Sequence, residues 1–230
     1  MITNENLDNY FIIDFKQEDI NNDNIPDNIY LVGIKPFGEG SLLIKSIRII
    51  IIDGRDGSRH EIIPKYNAGY APSMLIGDLT KTNTKEIMIS IFSGSTGGES
   101  YYYIYSFSNN VKKVLFDFEK FNALQPYQVM FRDNYKVTIF NEESYTIDLT
   151  HKSPEYKDYI YNNDGSLKRP TRGRLSPIIK LEPIPNTSEI EVTQKLIGYY
   201  SADILGELKT RLRFNGDEFV KFDDSIILYR

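Results

Sequence analysis

From Tyr10 onward the chain is a succession of short β-branched and aromatic runs, each cut off by Asn, Asp or Gly before a helical period can develop. Tyr10–Phe15, Asn28–Gly33, Ile49–Ile52, His60–Ile63, Glu86–Phe92 and Ser100–Phe107 are such runs, and Lys112–Phe118, Gln128–Phe131, Lys136–Phe140 and Ser144–Leu149 continue the series. Runs of this length and content fit a pleated, half-buried surface. With 17 Tyr and 13 Phe in 230 residues, the pattern predicts an all-β protein built as an antiparallel meander. Asp53-Gly54-Arg55-Asp56-Gly57 lies between two of these runs as a hairpin tip, and Gly38-Glu39-Gly40 breaks another pair.

Asp19 to Asp27 reads DINNDNIPD and places oxygen-bearing side chains at its first, third, fifth and ninth positions. A calcium ion takes about six to eight oxygens, and a loop supplies them from alternate carboxylates and amides plus a backbone carbonyl. Asp19, Asn21, Asp23 and Asp27 are the side-chain candidates, with the carbonyl of Ile25 as the backbone ligand. Asn24 stands where such loops turn sharply, and Asn enters the left-handed region more readily than most residues. A helix–loop–helix site would need a Glu at position twelve, which is Tyr30 here, and both flanks read as strands. The competing reading is a polar surface turn, since Asn and Asp favour turns through their own side-chain hydrogen bonds.

The layout recurs. In GDLTKTNTKEIMISIFSG, Asp78, Thr80, Thr82 and Glu86 occupy the places of Asp19, Asn21, Asp23 and Asp27. Two carboxylates and two hydroxyls make a poor divalent site, so this second loop is expected to be metal-free and held by side-chain-to-backbone hydrogen bonds. Glu189 takes the third register position, preceded by Leu181, Pro183 and Pro185, which leave no ligand set. Repetition at about 59 residues, the Asp27-to-Glu86 spacing, suits a blade array. The loop leading into a strand resembles the FG-GAP or VCBS-type calcium repeat, and LEPIPNTSEIEVTQKLIGYYSADILGELKTRLRF resembles the closing repeat of spore-former VCBS-like proteins. The resemblance implies a β-propeller-like array of three to five blades over residues 1–230. It further implies Ca2+ at Asp19, Asn21, Asp23, Ile25 and Asp27, and a non-catalytic structural or ligand-binding module.

Between residues 150 and 177 prolines and glycines crowd together with Lys168, Arg169, Arg172 and Arg174, which predicts a loose, exposed insertion. Ala202–Arg213 is read as a strand pair turning at Gly206, with a helix striped by Ile204, Leu205, Leu208 and Leu212 as the alternative. Ser93-Gly94-Ser95-Thr96-Gly97-Gly98 leads into a strand, so it is read as a hairpin connection and not as a phosphate loop or nucleophile elbow.

The remaining chemistry is narrow. Zero cysteines remove disulfides and thiolate chemistry, and His60 and His151 stand in no triad context. A net charge of −5 argues against nucleic acid as a partner. No run approaches the ~20 apolar residues of a membrane span. MITNENLDNY lacks the basic and apolar regions of a secretory signal, which leaves a cytoplasmic or spore-associated chain, or an extracellular one whose signal has been removed. Partners are then a protein or a glycan, the latter stacking on exposed members of Tyr101–Tyr103, Tyr105, Tyr199 and Tyr200. A carbohydrate-binding protein or glycoside hydrolase on a β scaffold is the alternative function, because paired carboxylates meet in space rather than in sequence.

Overall fold

The computed structural model describes residues 10–124, 127–141 and 143–229; the N-terminal stretch read for a signal lies almost wholly outside them. Strand accounts for 53% and helix for 7%, and the sheets are antiparallel. Fifteen strands are described: β1 Phe11–Glu18, β2 Asp27–Ile34, β3 Leu43–Ile52, β4 Arg59–Ile62, β5 Gly69–Gly77, β6 Glu86–Phe92, β7 Ser100–Ser106 and β8 Lys113–Asp117, then β9 Gln128–Arg132, β10 Lys136–Phe140, β11 Ser144–Asp148, β12 Arg174–Pro183, β13 Glu189–Ile197, β14 Ile204–Phe214 and β15 Phe219–Leu228. Helix α1 spans Phe118–Ala123 and α2 spans Pro154–Ile160.

The first half forms one sheet in the order β1-β2-β3-β5-β6-β7-β8, with β4 also on β3. The period of two decides which residues face inward. Ile87, Ile89 and Ile91 of β6 are fully buried, as are Ile47, Ile49 and Ile51 of β3, while their alternate neighbours face the other side. Ile29 opposes Ile51 and Leu31 opposes Ile49 across β2 and β3, so the inner face is a continuous aliphatic layer. Each such side chain contributes roughly 1.5–3 kcal/mol by leaving water.

The second half forms a three-stranded sheet, β11-β10-β9, and a four-stranded one, β12-β13-β14-β15. The four-stranded sheet covers the first: Ile178, Leu181, Ile190, Val192, Leu212 and Phe219 share one core with the β3, β6 and β7 side chains. A second core gathers Val129, Phe131, Val137, Ile139 and Ile147 with Tyr156 and Ile160 of α2 and Leu196 and Leu205 of the last sheet. Among the described helices none is long and apolar enough to cross a membrane.

Three expectations are corrected here. Among the described residues no sheet closes into a barrel or propeller, so three to five blades have no ring in which to be counted. Strands β1 to β8 pair continuously instead, which removes the gaps between blades. Residues 150–177 are not loose. Ser153 caps α2 by accepting from the Tyr156 N–H at 3.3 Å, Pro154 occupies the first turn, and Tyr156, Ile160 and Tyr161 are buried. Gly206 is no turn either: β14 runs straight through it. A Cβ there would lie 2.2 Å from the Ile227 carbonyl oxygen, so close approach of β15 is what requires glycine.

Candidate functional site

The structure brings Asp19, Asn21, Asp23, Ile25 and Asp27 into one loop, but it spends their oxygens on the protein itself. Asp19 accepts the backbone N–H groups of Asn22, Asp23 and Asn24 at 2.8, 3.1 and 2.9 Å. That fold-back requires left-handed backbone at Asn22 and Asn24, where φ is 68° and 67°, and Asn tolerates it. Asp23 accepts the Ile25 N–H at 2.8 Å and pairs with Arg55 at 2.9 Å. The Ile25 side chain packs over Gly54, whose Cβ would meet it at 2.9 Å.

Asp27 opens β2, is completely buried, and accepts the N–H groups of Ile20 and Gly54, one on each carboxylate oxygen, at 3.1 and 2.9 Å. Burial raises its pKa above the ordinary value, against the lowering effect of the backbone N–H groups of Gly54, Ile20 and Asn21. Asn21, also buried, donates to Asp53 at 3.0 Å and to Asn110 at 3.2 Å, and Asn110 donates to Asp53 at 2.8 Å. The Asn110 amide is the largest of the influences that hold Asp53 below the usual carboxylate range. The loop is thus one member of a satisfied polar knot joining it to the β3–β4 hairpin tip and to the turn after β7. Among the described residues no group of three His, Cys, Asp or Glu side chains could hold a metal ion. Asp19, Asp23 and Asp27 thus each give their oxygens to N–H donors or to Arg55.

The second loop has the same build. Glu86 opens β6 and is buried, and it accepts the N–H groups of Leu79 and Thr80 at 2.8 and 3.2 Å, which match Ile20 and Asn21 in register. Its other oxygen accepts the Thr80 and Thr84 hydroxyls, each at 2.9 Å. Burial again raises the carboxyl pKa, with Thr84 and Thr80 pulling the other way. Positive φ falls on Lys81 and Asn83, the counterparts of Asn22 and Asn24. Glu189 opens β13 as the register predicts but meets Arg213 at 2.6 Å instead of backbone.

Most other sequence candidates are structural. Tyr102, Tyr103 and Tyr105 are buried, and Tyr103 accepts the Tyr66 N–H at 3.1 Å. Ser93–Gly98 connects β6 to β7 as a hairpin. Ser58 Oγ lies 3.1 Å from His60 Nε2, yet among the described residues no carboxylate bonds the other ring nitrogen, and His151 is exposed.

A site with no obvious signature lies where the two halves meet. A cleft of about 330 Å³ runs between β8 and α1 on one side and β13, β14 and β15 on the other. Leu115, Phe121, Leu208 and Phe219 give it apolar walls, while Lys120, Glu218 and Lys221 stand at its edge. Two polar side chains interrupt the walls. Gln194 and Thr210 are 2% and 3% exposed. The Gln194 amide donates to the Ser176 carbonyl at 2.7 Å, where β12 bulges out of register. Thr210 lines the same cleft beside it. The sequence carried a signal for both. Ile190, Val192, Gln194 and Leu196 share one strand face, as do Leu208, Thr210 and Leu212, so each polar residue occupies a position the alternation reserves for the core.

Comparison with known proteins places this architecture. Residues 125–227 match the YybI C-terminal domain family, a span that opens near the junction between the two halves. The Bacillus subtilis (strain 168) protein named "Uncharacterized protein YybI" is 32% identical over 209 residues, covering 88% of this chain and 79% of that protein. No solved structure matches. No FG-GAP or VCBS repeat family matches either, which corrects the resemblance stated for Asp19–Asp27 and for the last unit. An Asx-rich turn entering a strand reaches the same spacing through its own hydrogen bonds, without a metal. With 32% identity extending over most of both sequences, this chain belongs to the YybI family.

Proposed function

We propose that this protein is a non-catalytic ligand-binding module, and that its ligand is a small, mainly apolar molecule carrying one hydrogen-bonding group, held in the cleft between its two halves. The observation that carries the reading is the cleft itself: about 330 Å³ between the two halves, with apolar walls interrupted by the side chains of Gln194 and Thr210. Thr210 offers a ligand one hydroxyl to bond among those apolar walls. Clefts between packed units, mostly apolar with a few convergent polar groups, are where small molecules bind. In the same reading the Asp19–Asp27 loop is a structural fastening that needs no calcium.

The test is a titration with 1-anilinonaphthalene-8-sulfonate followed by fluorescence at neutral pH. Saturable binding is expected, weakened at least about tenfold by Leu124→Asp. Leu124 is 76% exposed at the mouth of the cleft, so that variant should melt with the wild type. Absence of saturation, or equal affinity in both proteins, would refute the cleft as the site.

A further inference from the structure

A second concavity, separate from the cleft between the halves, has different chemistry. It lies between α2 and the β13–β14 turn, is about 480 Å³, and is walled by Tyr156, Tyr159, Tyr199 and Tyr200 with Ser153 and Glu155 beside them. Tyr159 is 70% and Tyr200 55% exposed, so two large ring faces meet water.

One carboxylate fastens two of these residues. Asp203, almost wholly buried, accepts the Tyr156 hydroxyl at 2.5 Å, the Tyr199 N–H at 2.8 Å and the Lys152 ammonium at 3.1 Å. One wall is fastened to Asp203 through Tyr156 and the other through the Tyr199 backbone. A Cβ at Gly198 would lie 2.1 Å from the Asp203 carboxylate, so glycine there is what lets the turn close on it. The Tyr159 and Tyr199 rings lie nearly parallel with centroids 6.5 Å apart, and Tyr156 and Tyr200 are tilted at 59° with centroids 6.4 Å apart. The concavity is preorganised, which spares a ligand the cost of ordering it.

Its lining selects a ligand class. Tyrosine rings offer flat apolar faces with polar tips, and the polar lining beside them consists of a serine hydroxyl and a carboxylate. Of the cations beside it, Lys152 is committed to Asp203 and Arg169 reaches the Tyr199 hydroxyl at 3.5 Å. An anion therefore meets the Glu155 carboxylate, and a purely apolar molecule makes no use of the Ser153 hydroxyl, the Glu155 carboxylate or the tyrosine hydroxyls. A neutral sugar ring satisfies both requirements: its C–H face lies on a tyrosine ring, and its hydroxyls donate to Glu155 and exchange bonds with Ser153. We propose that this tyrosine-walled concavity is a binding site for a neutral saccharide.

Saturation-transfer NMR on the whole protein tests this, with cellotriose, maltotriose and chitotriose as probes. Transfer from protein to the ring C–H protons of at least one probe is expected, with affinity reduced at least about tenfold in Tyr159→Ala and in Tyr200→Ala. Both side chains are largely exposed, so both variants should fold as the wild type does. Tyr159→Phe keeps the ring face and should bind within about twofold of wild type. No transfer with any of the three sugars overturns the proposal. So does transfer that survives both alanine variants unchanged, or a loss in Tyr159→Phe as deep as in Tyr159→Ala.

Discussion

Asp27 and Glu86 hold equivalent places in two equivalent loops, yet the same neutral substitution should affect them differently. Asp27 receives a backbone N–H on each oxygen, from Ile20 on one and Gly54 on the other. A backbone amide cannot reverse its direction. In Asp27→Asn, one of those donors loses its acceptor and faces a side-chain NH2, and an unsatisfied buried donor costs about 1–3 kcal/mol. Relief of the buried charge offsets part of this, leaving a net loss of about 2 kcal/mol. For a chain of this size that corresponds to a drop in Tm of roughly 4–8 °C. Glu86 receives backbone N–H groups on one oxygen only; the other takes the Thr80 and Thr84 hydroxyls. Hydroxyls rotate. The amide nitrogen of Glu86→Gln can face those two oxygens and donate to them, while Thr80 and Thr84 turn their protons to Thr82, 2.8 and 2.9 Å away. The expected change in Tm at pH 7 is under about 2 °C. The sign of the pH dependence follows from burial, which raises the Glu86 pKa from 4.5. The folded state then holds the proton more tightly than the unfolded one. The contribution of Glu86 to stability is fully present below pH 4.5 and is lost as pH rises through the folded pKa. Urea unfolding between pH 4 and 7 should therefore show wild type gaining on Glu86→Gln as pH falls. Equal destabilisation by the two substitutions at pH 7, or a wild-type-to-Gln difference independent of pH, would refute the reasoning.

Two further outcomes follow from the same geometry. Melting temperatures in millimolar CaCl2 and in excess chelator should agree within about 1 °C, since Asp19 and Asp27 are already bonded to backbone; a calcium-dependent rise that disappears in Asp23→Ala would make the loop a calcium site after all. Asp203→Asn should cost about 2–4 kcal/mol in urea unfolding, because one substitution disturbs the Tyr156, Tyr199 and Lys152 contacts together, and a loss below about 1 kcal/mol would mean that α2 is not held through this carboxylate.

Strand positions were legible because alternation and turn residues are local properties. The runs at Glu86–Phe92 and Lys136–Phe140 coincide with β6 and β10, and the register Asp27, Glu86, Glu189 falls on the first residues of β2, β6 and β13. What those strands assemble into was not legible, because closure into blades depends on which edges pair, and that is settled by long-range contacts such as β3 with both β4 and β5. The stretch from 150 to 177 misled for a related reason. Its prolines and glycines signal turns, while the aromatic residues that fasten it, Tyr156 and Tyr161, find their partners far along the chain: Asp203 in the β13–β14 connection, and the carbonyl of Lys136 in β10.

The Asp19–Asp27 loop shows how one spacing can serve two chemistries. Alternate oxygens in a tight turn converge either on a cation or on the backbone N–H groups that the turn itself leaves unpaired. Nothing local distinguishes the outcomes; the decision comes from outside the loop. Gly54 delivers an N–H to Asp27, Arg55 delivers a cation to Asp23, and Asp53 with Asn110 takes up Asn21. Residues 27 to 89 positions away thus occupy the groups that calcium would need. The same logic locates the cleft. Gln194 and Thr210 break an alternation that is otherwise kept on β13 and β14, and a polar side chain on a core face is tolerated only where something satisfies it. Ser176 does so for Gln194. Thr210 lines the apolar cleft itself, and its hydroxyl is why the ligand's polar group is placed against it.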